Sequence, residues 1–268
     1  MKSVFVAALV AAASMASAQS IVSFTGTYSQ NFDSLVNTGT SSSWSNNPAF
    51  PVIQGWSAWR TNSAGIFGAR DGSTNNFTAY GINDGGSNGG NLYSYGSVGS
   101  TDRALGSLSS GTPGDILILL ALRNDTGAAI TDITLSYDSE QWRNGGNTAL
   151  HSHVLDYKVV SSISFSDNDA SFTTGYVAPG ASFNTVTNVA SATAAAVDGN
   201  VAGLSAGRGG AISLTWNPGE ILLVRWWDDN NQGNDHGLAI DNLTIVPAPG
   251  VIALMGASGL MVARRRRK

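Results

Sequence analysis

Cysteine is absent from the 268-residue chain, and only 12% of its residues are charged. Without a thiol there is no disulfide framework and no thiolate metal or redox centre. So little charge excludes the Glu-, Lys- and Leu-rich heptads of a coiled coil. Histidine is scarce, at three residues, and glutamate occurs only as Glu140 and Glu220. No long amphipathic helix and no internal repeat can be read from the pattern. What remains is rich in small residues, with 32 glycines, and carries aromatics throughout. That composition suits an all-β exported domain, and the length suits one large domain or two small ones.

The charges are unevenly placed. Arg264, Arg265, Arg266, Arg267 and Lys268 close the chain, and Lys2 opens it. Between residues 19 and 245 there are 8 basic residues against all 18 acidic ones, a net −10. A body that acidic repels phosphates and excludes nucleic acid as a partner.

Both ends read as addressing signals. Lys2, the apolar run Val4 to Ala13 and the small-x-small site Ala16-Ser17-Ala18 predict a secretory signal peptide over residues 1–18. At the other end, Val246-Pro247-Ala248-Pro249-Gly250 precedes 13 apolar or small residues, Val251 to Ala263, and then the basic cluster. The run is shorter than the roughly 20 residues of a robust spanning helix, so it predicts a transient membrane stop. Gly256 and Gly259 suit close helix packing, and the arginines stay on the cytoplasmic side. Proline disfavours helix before and at its own position, so residues 246–250 are expected to be extended and open to a membrane-embedded processing enzyme.

This tail resembles the PEP-CTERM sorting signal of bacteria that process surface proteins with an exosortase. Pro247, Pro249, Gly250, the run through Ala263 and Arg264 to Arg267 carry the resemblance, which covers about 23 residues. Ala248 stands where the name-giving motif has glutamate. The resemblance implies an exosortase-like membrane enzyme as partner, and a destination in the cell envelope, at the surface or in the extracellular matrix.

The body, residues 19–245, shows short β-type runs between turn clusters. Val22 to Tyr28 predicts a first strand. Ile116 to Leu120 is a continuous apolar run that fits a strand buried on both faces. Ile133, Leu135 and Tyr137 alternate onto one face. Val154 to Val160, Ala211 to Trp216, Ile221 to Trp227 and Leu238 to Val246 complete the set. Asn124-Asp125-Thr126-Gly127 and Asn217-Pro218-Gly219 are turn chemistry, the first expected to join two antiparallel neighbours. Residues 37–100 are less regular, with an evident loop at Asn83 to Gly90. In the Ala-rich stretch 188–206, Val197, Val201 and Leu204 suggest a short helical stripe. Four phrases resemble a β-sandwich ectodomain that recurs in bacterial secreted proteins: Asn31 to Leu35, Arg103 to Leu108, Tyr137 to Arg143 and Asp235 to Asn242. The resemblance implies a single jelly-roll or concanavalin-like β-sandwich, flanked by the signal peptide and by a C-terminal sorting helix within residues 246–268.

Three groups of residues bear on chemistry. Asp138 and Glu140, two apart at a strand end, would face one side and offer paired carboxylates for glycoside hydrolysis. Only Glu220, in a turn, remains to complete a catalytic set, and a pairing of Glu140 with Arg143 accounts for it more simply. His151 and His153 also share a face, with Asp156 close and His236 distant. Two imidazoles on a strand can bind a metal, but nothing completes the ligand set, which favours exposed strand-edge histidines. Trp226, Trp227, Asp228, Asp229, Asn230, Asn231, Asp235, His236 and Asp241 form the densest polar-aromatic segment. It reads as a polar hairpin, as oxygen ligands for Ca²⁺ or as a sugar-contacting surface, with Trp226 and Trp227 on opposite faces. A serine-nucleophile reading has no specificity where serine is this abundant. The sequence thus predicts a non-enzymatic surface or matrix protein with no catalytic residue and no dedicated metal site, contacting extracellular polysaccharide or calcium. The alternative is a jelly-roll polysaccharide-active hydrolase.

Overall fold

The computed structural model describes residues 21–45, 52–61, 77–163 and 174–248. Ala16, Ala18, Pro249, Gly250 and Arg264 to Arg267 lie outside the described residues, as does the Val251 to Ala263 run. Among the described residues there is no α-helix, and none long and apolar enough to cross a membrane.

The first strands are β1 (Val22–Phe24), β2 (Tyr28–Gln30), β3 (Ser41–Ser43), β4 (Trp56–Arg60) and β5 (Ala79–Asn83). Then come β6 (Asn91–Tyr95), β7 (Ala104–Leu108), β8 (Ile116–Asn124), β9 (Ile130–Asn144) and β10 (His153–Val160). The last are β11 (Ala195–Ala196), β12 (Leu204–Trp216), β13 (Ile221–Asp228) and β14 (Gly237–Pro247). In one sheet β1 and β4 share an edge of β8, followed by β13 and β10. In the other, β11 and β12 share an edge of β9, followed by β14, then β7 and β2, then β6, β5 and β3.

The two sheets face each other across one core, the arrangement of a β-sandwich. Ile118, Leu120 and Leu122 of β8 and Val224 and Trp226 of β13 meet Ile133, Leu135 and Tyr137 of β9 and Ile245 of β14. The intervening residues Leu117, Leu119, Ala121, Ile221 and Leu223 form a second buried cluster on the opposite face of their sheet. Strand β8 is thus buried on both faces, as its unbroken apolar run predicts. Aromatic rings fill the core: Trp226 stacks on Trp56 of its own sheet at 5.6 Å and meets Tyr137 of the facing sheet edge-on at 5.7 Å.

Several local expectations are revised. The Val22 to Tyr28 strand is broken at Gly26, whose φ of 122° belongs to glycine. Its halves join different sheets, β1 on β8 and β2 on β14. The Asn124 to Gly127 turn does not join paired strands, since β8 and β9 lie in opposite sheets, and the Asn217 to Gly219 turn crosses between sheets as well. One side chain organises both crossings: Asn124 donates to the Ala128 and Trp216 carbonyls (2.9 and 2.7 Å) and accepts from the Thr126 N–H (3.1 Å).

The 188–206 stretch forms no helix. It runs as a strap over Trp142, with Val197 N–H donating to the Trp142 carbonyl (2.8 Å). A Cβ at Gly199 would lie 2.3 Å from the Trp142 ring, and one at Gly203 2.0 Å from the Gln141 carbonyl oxygen. The glycines that weaken a helix here are those that allow this approach. At the C-terminal boundary, β14 continues past residue 245 through Val246 to Pro247, opposite Ile133. Proline closes the strand without losing a needed donor, and Ala248 N–H then bonds the Asp132 carbonyl at 3.0 Å.

Candidate functional site

The loops that follow β5, β7, β9 and β13 gather at one end of the sandwich. They enclose a cavity of about 280 Å³ lined chiefly by polar groups, Arg143 and Asp235 among them. Close loop approach is built in: a Cβ on Gly145 would lie 2.1 Å from the Asp235 carbonyl oxygen.

Arg143, at the end of β9, is 9% exposed. Its Nη1 donates to the Gly85 and Gly86 carbonyls at 2.9 and 3.2 Å, while its Nε is buried with no hydrogen-bond partner. Asp235 is 6% exposed. Its Oδ1 accepts from Asn231 N–H at 3.0 Å and lies 3.4 Å from His151 Nδ1, and its Oδ2 has no partner. Burial, reinforced by Asp228, pushes this carboxyl up to about 7. Each unsatisfied buried polar atom costs on the order of 1–3 kcal/mol, so this end of the fold stores an unmet demand for hydrogen bonds.

Behind the cavity the histidines are buried, contrary to the strand-edge expectation. His236, distant in sequence, brings its ring to 4.7 Å from that of His151. Its Nδ1 accepts from Gly145 N–H and its Nε2 donates to the Ala149 carbonyl, both at 3.0 Å, which fixes a neutral tautomer. Burial lowers the pKa of both rings. His153 lies apart, 3.4 Å from Asp228 Oδ2, to which Ser107 Oγ donates at 2.7 Å. Serine, histidine and aspartate are close here, but the serine proton points to the carboxylate and all three are buried. No nucleophile is activated by that order of bonds. Asp156 faces away into a pair with Arg225, 2.7 Å from its Nε. Among the described residues no group of three or more His, Asp or Glu side chains is placed to hold a metal ion.

The paired carboxylates occupy a different place. Glu140 does not pair with Arg143: its Oε2 accepts from Trp142 Nε1 at 2.7 Å. Asp138 accepts from Gly207 N–H (2.9 Å) and from Asn242 Nδ2 (3.1 Å), clamping irregularities in β12 and β14. Register sets Asp241 opposite Asp138, and Ala239 opposite Glu140. Burial pushes Glu140 up to about 7 and Asp241 up to about 8. Glu140 and Asp241 are only 3% and 2% exposed. Glu220 accepts from Asn217 N–H at 2.8 Å and finishes a turn.

Trp226 and Trp227 do fall on opposite faces, the first in the intersheet core and the second in the outer cluster. The segment after them is no hairpin, because β13 and β14 belong to different sheets. Asp138, Glu140, Trp226 and Asp228 therefore share no groove. Of the nine residues singled out in the polar-aromatic segment, only Asp235 lines the cavity, beside Gly233 and Asn234. Arg143, Asn88 and Ser110 join it there from three other loops or strand ends, a meeting that no local motif announces. Gly85-Gly86-Ser87-Asn88-Gly89 does spell a Gly-x-Ser-x-Gly pattern. It leads into strand β6 instead of a helix, and Ser87 Oγ lies beside Tyr93 Oη at 3.2 Å, with no histidine partner.

Among solved structures the chain is similar to the CBM22-1 xylan-binding domain from Paenibacillus barcinonensis. Identity is 12% over 82% of this chain and 92% of that one, with a TM-score of 0.34. It is also similar to the K3 cleaved adhesin domain of Lys-gingipain from Porphyromonas gingivalis, at 13% identity over 72% and 92% of the two chains and a TM-score of 0.37. No protein-family model matches the chain, and no curated protein matches it. Likeness at this distance assigns no function.

Proposed function

We propose that this is an exported bacterial surface or matrix protein whose jelly-roll-type sandwich contacts glycan without cleaving it. On this reading the signal peptide directs export. The PEP-CTERM-like tail, Val246 to Gly250 with Arg264 to Arg267, presents the chain to an exosortase-like enzyme in the membrane. One contrast supports binding over catalysis. Glu140, the acid that hydrolysis would need, is buried beneath the strap, whereas the polar groups at the sandwich end line a cavity with room for a ligand. Retention on immobilised polysaccharides, with reducing-sugar release measured in the same samples, tests it. Retention without release is expected, and failure to be retained on any polysaccharide would reject the glycan reading.

The hydrolase reading has one observation in its favour, a Glu140 carboxyl raised to about 7, as a general acid requires. Sugar release that Glu140→Gln abolishes would establish it. Mass spectrometry of the native protein tests the tail: a processed C-terminus lacking residues 251–268 is expected, and a retained run with its arginines would leave a plain anchor.

A further inference from the structure

We propose that the cavity lined by Arg143 and Asp235 is the glycan-contacting site, and that it takes a single neutral sugar residue through hydrogen bonds alone. The proposal rests on the glycan-contacting reading and deepens it. A cavity of about 280 Å³ falls just below the roughly 300–1,000 Å³ typical of small-molecule sites. That space holds one pyranose ring and not a run of them, so the ligand is a chain end or a branch unit.

The lining dictates the chemistry. A sugar hydroxyl both donates and accepts. Arg143 brings a guanidinium and Asp235 a carboxyl group to the lining, and Ser109 and Ser110 add hydroxyls. Asn88 and Asn234 line the same cavity with exposed amides that offer both functions. A ligand rich in neighbouring hydroxyls satisfies such a set. An anion would meet the Asp235 carboxylate and a cation the Arg143 guanidinium, so a neutral ligand fits best. Among the described residues no aromatic ring lines the cavity, which removes stacking as the source of affinity. Without that term, and with solvent competing for every hydroxyl, affinity for a single sugar falls in the millimolar range.

Gly111 provides a test that spares the fold. It lines the cavity, its φ lies outside the left-handed region, and no atom lies within 4 Å of where its Cβ would be. Gly111→Phe therefore adds bulk at the cavity without displacing backbone. Asp235→Asn removes an acceptor at nearly constant shape. The protein as exported is titrated with glucose, galactose, mannose and xylose, and with galacturonate as the charged comparison, by saturation-transfer NMR and calorimetry. Retention on the polysaccharide panel is measured in parallel. Saturable binding of at least one neutral sugar is expected, weakened about tenfold or more in both variants, with the melting temperature of Gly111→Phe unchanged. Sugar binding or polysaccharide retention that survives in both variants overturns the assignment of the cavity and leaves the glycan reading standing. Polysaccharide retention with no monosaccharide bound does the same. Preference for galacturonate overturns the neutral ligand class. A wild-type protein that binds neither sugar nor polysaccharide overturns the glycan reading itself.

Discussion

The outer face of the larger sheet and the loop end of the sandwich both carry buried acidic groups with raised pKa values, yet they differ in kind. On the sheet face, Glu140 is bonded by Trp142 and lies under the strap at 197–203. At the loop end, Asp235 and Arg143 border open volume. A raised pKa records desolvation in both places. Only the second place combines that burial with room for a ligand, a cavity of about 280 Å³ lined by both groups. The difference teaches that accessible volume beside polar groups, more than perturbed titration, separates a candidate site from a packed interior.

The largest test of the sealed face is Trp142→Ala. The ring stacks on Tyr95, fills the space under Gly199 and supplies the Glu140 hydrogen bond. Its loss is expected to cost about 3–5 kcal/mol in denaturant unfolding. If the cost is below about 1 kcal/mol, the strap is no part of the cooperative fold.

Titration follows in size. Glu140, Asp235 and Asp241 have folded-state pKa values of about 7, 7 and 8, above those of unfolded carboxyls. The folded state therefore holds more protons, and stability falls as pH rises through these values. The lowered values of His151 and His236 act in the opposite sense and fade above about pH 6.5, so between about pH 6.5 and 8.5 the carboxyls dominate. A loss of roughly 3 kcal/mol is expected over that interval, more than half of it removed by Asp241→Asn. A flat profile would mean that these carboxyls reach solvent.

Gly145→Ala addresses the loop end. Its methyl would meet the Asp235 carbonyl oxygen at 2.1 Å, so backbone must move. A loss of about 1–3 kcal/mol is expected, accompanied by weaker sugar binding. Intact binding would show that the cavity does not depend on that loop contact.

Ser107→Ala is the smallest. It removes the hydroxyl donor to Asp228 and is expected to cost about 1–2 kcal/mol, with glycan retention unchanged. A loss of function at unchanged stability would instead assign the Ser107, His153 and Asp228 group an active role.

Alternation and turn chemistry carried the strand reading far. Ile133, Leu135 and Tyr137 share the core, and the double burial of Ile116 to Leu120 follows from its unbroken apolar run. The histidine reading failed because burial of a polar ring depends on partners supplied from elsewhere. For His236 these are Gly145 and Ala149, 91 and 87 residues away. Glu140 was assigned the wrong partner for a related reason. Arg143 sits an odd number of positions away on the strand, whereas Trp142, two positions on, shares its face.

The sequence by itself determined that the body is built of strands, which faces of β8, β9 and β13 are apolar, and that Trp226 and Trp227 diverge. These follow from a two-residue period and need no knowledge of partners. Only the tertiary structure decided which sheet each strand joins, that Val22 to Tyr28 divides between two sheets, and that the Ala-rich stretch is a strap. It alone brought Arg143, Asn88 and Asp235 to one cavity. Pairing and loop convergence are long-range events, selected by the summed packing of the core and by close approaches at residues such as Gly145 and Gly199. No local pattern in the chain encodes them.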